Sequence, residues 1–229
     1  MIDTILVPQG AEYAAVRRGL SRVVVGEMPD VVPIPVGIKP LTNYLQQLLG
    51  KKIWGNEPQP KVLVMGLCGS LSQKYAVGDI VLYDNCRYCE QLQVCDRSLT
   101  AQLNSVLSTQ HSALPFVKSL TSDRVISSAT EKRHLGETLG VDVVDMEGFA
   151  ALELLHQAGV AVAMLRVVSD DCHHDIPDIS AAINPDGSLQ PLILAQRFLR
   201  QPVAATHLIR GSLRGLKVLE QMMRSLFSV

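Results

Sequence analysis

The run Val160-Ala-Val-Ala-Met-Leu-Arg-Val-Val168 is nearly continuous in apolar residues, and it constrains the fold more than any other stretch of the chain. A run of this kind is the signature of a strand buried on both faces of a parallel sheet. Upstream, Val141 to Val144 is a short β-branched run. From Met146 the spacing turns helical, with Phe149, Leu152 and Leu155, and less strictly Ala150 and Leu154, on one apolar face. Gly159 closes that helix. Strand, helix, strand places the chain in the α/β class, where ligands bind outside the carboxyl ends of the strands. Glu147 and Asp170, the latter behind Ser169, both fall on that rim.

The rest of the chain supplies further strands and helices around this unit. Thr4 to Val7 reads as a strand, followed by a turn at Gly10 and a helix over Tyr13 to Leu20, so Glu12 lies in a strand-to-helix turn. An acid in a first helical turn is favourable whatever else it does. Val31 to Val36, interrupted by Pro33 and Pro35, predicts an edge strand or extended loop. Thr42 to Leu49 is an amphipathic helix closed by Gly50, and Gly55 to Pro60 is a loop. Lys61 to Met65 is a buried strand running into the glycine-rich turn Gly66-Leu-Cys-Gly-Ser-Leu71. Two glycines there let the backbone approach a ligand closely, although the spacing is neither a dinucleotide fingerprint nor a P-loop. Val77 to Val81 turns into a strand reaching about Tyr83. Leu99 to Leu107 is a helix, and Phe116 to Leu120 is a strand ending in Thr121-Ser-Asp-Arg-Val-Ile126. Ser128 to Leu139 is a helix capped by Ser127 or Ser128. Two helices close the chain, at about Leu189 to Leu199 and Ala204 to Leu226.

Length and composition suit one compact domain over residues 1–229, with a helical extension from about 189. The formal net charge of −1 offers nothing to nucleic acid, and no run is long and apolar enough for integral membrane insertion. The five cysteines are odd in number, and the apolar start is short and broken by Pro8, so the reading is cytoplasmic with reduced thiols. Cys86, Cys89 and Cys95 include a Cys-x-x-Cys pair, but no second pair or nearby histidine completes a zinc set. Cys172-His173-His174-Asp175 reads as rim contacts before metal ligands. No metal and no cofactor are expected. The basic face of the last helix, Arg210, Arg214, Lys217 and Arg224, reads first as solvated.

Four landmarks in order resemble one family: Glu12 after the first strand, the Gly66 to Leu71 turn with Val77 to Val81 behind it, Asp145-Met-Glu147, and Arg166-Val-Val-Ser-Asp170. The chain resembles the nucleoside phosphorylase/nucleosidase superfamily of the purine nucleoside phosphorylase and methylthioadenosine/S-adenosylhomocysteine nucleosidase type. The region after Asp171, with Ile183-Asn-Pro-Asp-Gly187 and the basic C-terminal helix, is similar to the hopanoid-biosynthesis-associated phosphorylase branch, whose substrate is a nucleoside-bearing hopane lipid. The resemblance implies a single three-layer α/β/α domain around a mixed, partly barrel-like twisted sheet. It implies cleavage of the N-glycosidic bond of an adenine-type nucleoside, by phosphorolysis with inorganic phosphate as co-substrate or by hydrolysis, in a homodimer or higher homo-oligomer. By position, Asp170 would protonate the purine at N7, Glu147 would grip the ribose hydroxyls, and Met146 would pack under the sugar. Gly66, Cys68, Gly69, Val125 and Ile126 would face base and sugar, with Ser169 beside Asp170, and Glu12 would activate water.

The chemistry adds its own demands. Breaking the bond builds positive charge on the sugar and negative charge on the base. Asp170 should therefore sit in an apolar setting that keeps its proton, while Glu147 stays ionised. Leu67 stands where the family often carries serine, and Ser70 replaces a glycine. The phosphate-clamping arginine pattern is missing near Pro8, with Arg17, Arg18 and Arg166 left as candidates. These departures also allow a nucleoside-binding protein without catalysis.

Overall fold

The computed structural model of the protein describes residues 2–23, 28–50, 59–109 and 113–227. The strands are β1 (Thr4–Pro8), β2 (Asp30–Ile34), β3 (Lys61–Ser70), β4 (Ile80–Tyr88), β5 (Gln91–Val94), β6 (Phe116–Thr121), β7 (Val143–Asp145) and β8 (Ala161–Asp170). The helices are α1 (Ala11–Leu20), α2 (Ile38–Gly50), α3 (Arg97–Leu107), α4 (Ala129–Leu139), α5 (Gly148–Gln157), α6 (Pro191–Arg200) and α7 (Pro202–Phe227). Most of the loop expected over Gly55 to Pro60 lies outside the described residues.

One mixed sheet organises the molecule. β3 pairs in parallel with β8, β8 antiparallel with β4, β4 in parallel with β6, β6 in parallel with β7, and β7 antiparallel with β3. These five strands therefore close on themselves, which removes their edges. β1 and β2 extend the sheet from β3, and β2 is an edge, as its prolines require. The fold is mixed α/β with a barrel-like sheet, as expected from the resemblance.

β8 shows why its sequence is apolar throughout. Val162, Met164 and Val168 belong to one core, packed against α2 and α5; Ala161, Ala163, Leu165 and Val167 belong to another, shared with α1, α3 and α7. The period-2 alternation of a strand thus feeds two hydrophobic layers. α7 contributes Leu219, Met222 and Met223 to the second core, whereas α6 has no buried residue.

Some boundaries differ from the sequence reading. The segment Gly66 to Ser70 is not a turn: β3 continues through it, in register with β8. The glycines mark close approach of side chains to an extended strand, not a reversal of the chain. β4 runs on past Tyr83 to Tyr88 and returns as β5 through a turn in which Cys89 has φ 51°. Polar Asp84 and Asn85 hide this continuation, because Asp84 sits at a register shift where the alternation breaks. α5 starts at Gly148, leaving Glu147 as its N-cap residue with φ −130°.

Candidate functional site

At the carboxyl ends of β1, β3, β7 and β8 lies a cavity of about 220 Å³. Glu12, Cys68, Gly69, Val125, Ile126, Met146, Glu147, Ser169 and Asp170 all line it, together with Asp145, Leu67, Leu208 and Ser212. Gly66 stands behind this wall. The two acids expected on one rim thus face a single space.

A buried ion cluster forms one side. Arg166 is fully buried on β8, with Nη2 3.1 Å from Asp145 Oδ2 and 3.8 Å from Glu147 Oε2. Its three guanidinium nitrogens have no hydrogen-bond acceptor of good geometry among the described residues. Asp145 is held by donors from Thr121 Oγ1 (2.9 Å) and Gly148 N (3.1 Å). Glu147 accepts from Gly37 N at 3.0 Å, so the loop before α2 fixes it. Glu12 accepts from Leu67 N at 3.1 Å. Gly66 explains how these groups converge. A β-carbon there would overlap the Arg166 guanidinium and lie 2.6 Å from Glu12 Oε2.

Desolvation dominates the charges of this cluster. Glu12 is half-buried on the cavity wall, and burial of its carboxyl pushes it from 4.5 up to about 8, against the pull of Arg166 and with added repulsion from Glu147. Burial likewise raises Glu147 to about 7, opposed by Arg166 and reinforced by Asp145. Three carboxyls, Glu12, Asp145 and Glu147, share one guanidinium in a dry pocket and compete for it, so Glu147 is less readily ionised than the expectation assumed.

The opposite side is built on a bulge. Cys68 pairs with Val168 and Gly69 with Asp170, so Ser169 is an extra residue in β8. Bulges of this kind re-aim side chains beside functional sites. Ser169 Oγ donates to Cys68 O at 3.2 Å and to Asp170 Oδ2 at 2.7 Å. A β-carbon at Gly69 would lie 2.9 Å from Asp170 Oδ1, so glycine is what lets the acid lie over the strand.

The apolar setting expected for Asp170 is not what surrounds it. Lys132, fully buried on α4, donates its ammonium to Asp170 Oδ1 and, at 3.0 Å, to Asp171 O. Lys132 was invisible in the sequence, because Thr130-Glu-Lys-Arg-His134 reads as a solvated helix face. Arg166 did carry a signal, a lone cation inside a strand buried on both faces, since buried arginine is rare unless paired.

The remaining candidates scatter. Cys86 and Cys95 are buried, with the Cys86 thiol beside Ser119 Oγ at 2.9 Å, and Cys89 is exposed. His174 hydrogen-bonds Asp171 and stacks on His207 of α7, ring centroids 4.3 Å apart. Among the described residues no group of three or more His, Cys, Asp or Glu has the geometry to hold a metal. Arg17 and Arg18 lie exposed on α1, and Arg18 pairs with Glu220, outside the cavity.

Comparison with known proteins matches the sequence to a family and the fold to solved structures. The sequence pattern of the phosphorylase superfamily fits residues 59–184. No curated protein sequence matches the chain. Among solved structures, Helicobacter pylori 5′-methylthioadenosine/S-adenosylhomocysteine nucleosidase is similar, with TM-score 0.70 and 16% identity over 99% of this chain and 97% of that one. Futalosine hydrolase of the same organism gives the same TM-score, identity and coverage. S-adenosylhomocysteine nucleosidase of Streptococcus pyogenes gives TM-score 0.64 and 17% identity over 99% and 97%. At these identities the likeness is one of fold.

Proposed function

Because the chain belongs to the phosphorylase superfamily, we propose that it cleaves the N-glycosidic bond of an adenine-type purine nucleoside with water as the nucleophile. The observation that carries this reading is the Arg166 cluster: one guanidinium with unsatisfied donors faces Glu12, Asp145 and Glu147 beside the cavity. A phosphate dianion entering there would have only one guanidinium to offset it, and that one is already shared with Asp145, unlike a phosphate clamp. A neutral water suits the same place, accepting from Arg166 and donating to Glu12.

In this reading Glu147 takes the ribose hydroxyls and Met146 packs beneath the sugar. Water attacks C1′ as the bond to N9 breaks, and its proton passes to Glu12. The departing purine takes a proton at N7 from Asp170, held in one orientation by Ser169 and Lys132. The Lys132–Asp170 contact supplies that proton; after the products leave, Glu12 releases its proton and Lys132 regains one, so no net proton is consumed. Cys68, Gly69, Val125 and Ile126 face the base. As C1′ becomes cationic it favours the ionised forms of Glu12 and Glu147, a gain made only in the transition state.

The narrower reading gives the adenosyl group an apolar 5′ substituent, methylthio or a lipid chain as in the hopanoid branch. Ile176, Ile179 and Leu208 on the cavity wall support it. No cofactor, a cytoplasmic location and assembly of two or more copies complete the proposal. The test is adenine release from methylthioadenosine, adenosine and an adenosyl lipid, each with and without phosphate. Free sugar formed independently of phosphate is the expected result. Sugar 1-phosphate appearing only with phosphate would replace water by phosphate, and adenine binding without turnover would make the protein a nucleoside binder.

A further inference from the structure

Between Gly187 and Leu219 the chain has no Asp or Glu, yet it carries Arg197, Arg200, Arg210, Arg214 and Lys217, in a protein of net charge −1. That stretch is α6 and most of α7, and several of its apolar residues face outward while others pack inward. Leu192 is 87% exposed, Leu199 83% and Val203 72%, with Ile209 and Leu213 also exposed. Leu192, Ala195 and Leu199 follow i, i+3, i+7 spacing, so they form one strip along α6, and Val203, just past the break at Gln201, is exposed as well. The inward face of α6 half-buries Ile193, Leu194 and Phe198, so the strip of Leu192, Ala195 and Leu199 is a second apolar face left to the outside. Arg200, Arg210 and Arg214 form no ion pair among the described residues. Arg210, Arg214 and His207 line a groove of about 210 Å³ that shares Asp170 and Ile176 with the catalytic cavity.

We propose that the exposed face of α6 and α7 docks the protein onto the surface of a bilayer containing anionic phospholipids. Leucines inserted among acyl chains and arginines set against lipid phosphates are the two elements of an interfacial amphipathic helix. Charge selects this occupant over a second copy of the chain, since a symmetric contact would bring two acid-free cationic faces together. No helix among the described residues is long and apolar enough to cross a membrane, so the contact is peripheral. Leu208 and Ser212 line the cavity from the opposite face of the same helix, so docking sets the cavity about one helix diameter from the lipid.

The proposal does not rest on the reaction, because docking is measured without nucleoside. The experiment is flotation of the full chain with phosphatidylcholine vesicles, with and without phosphatidylglycerol, at rising salt. The protein should float with the anionic vesicles alone and be released as salt screens the contact. Leu192→Ser/Leu199→Ser should abolish flotation while leaving circular dichroism and any adenine release from methylthioadenosine unchanged. Arg200→Gln and Arg210→Gln should each weaken binding about fivefold. Failure to float with anionic vesicles, or equal flotation of the leucine variant, overturns the proposal. So does a dimer that the leucine variant dissociates in the absence of vesicle binding.

Discussion

The two ends of the cavity hold the same kind of residue in opposite surroundings. At one end Glu12, Asp145 and Glu147 crowd a single buried guanidinium, and burial lifts the first and third toward neutrality. At the other, Asp170 has an ammonium to itself and a serine on its second oxygen. In the proposed reaction, the crowded end would favour a developing cation on the sugar over a phosphate dianion. At the other end of that reaction, one carboxyl with one ammonium would relay a proton to the base and be recharged from solvent. The difference shows that the neighbours of an acid, more than its identity, set its task.

The largest effect expected from breaking this asymmetry is at Asp170. Asp170→Asn should lower kcat for adenine release by about 10²–10⁴-fold, the range of a positioned general acid. Asp170→Asn/Lys132→Met should recover the stability lost when a buried ammonium is left unpaired, but not the rate. Recovery of both would remove Asp170 and Lys132 from proton transfer. Next is Arg166→Met, which leaves the opposing carboxyls without their cation and should cost about 3–5 kcal/mol of stability by denaturant unfolding. A variant as stable as the parent would mean the cluster is neutral as folded.

A smaller change tests the cradle. Gly66→Ala pushes a methyl group into Arg166 and Glu12 and should destabilise by about 1–3 kcal/mol. Gly69→Ala should instead act mainly on Asp170, lowering kcat with a milder loss of stability. The smallest effect is a slope with pH. The Glu12 carboxyl moves from 4.5 in the unfolded chain to about 8 when folded. Below 4.5 it is neutral in both states; above it the unfolded chain ionises first, so this contribution to stability declines as pH rises toward 8. Glu12→Gln should flatten that decline in pH-dependent unfolding. With Glu12 as the base, kcat/KM should climb over the same upper range in the parent.

Much of this was legible in one dimension, because local pattern was enough to carry it. The β8 run, the α5 face, the edge position of β2 and the Ser128 cap follow from period, proline and capping chemistry. So does the placement of Glu12, Glu147 and Asp170 at strand ends, which puts them on one rim of any parallel sheet. The chain also announces its acid-free, leucine-bearing C-terminal helices. What the linear order withheld is how charge is shared across distance. Lys132 looks like any lysine on a polar helix until α4 lays it against the end of β8. Whether Gly66 to Ser70 bends or extends depends on pairing with β8, and whether Glu147 is ionised depends on Arg166 and Asp145, neither of which its own segment can arrange. Hydrophobic period is written locally and survives folding unchanged. The electrostatics of a buried group is a sum over neighbours and lost water, and only the closed barrel decides which neighbours those are.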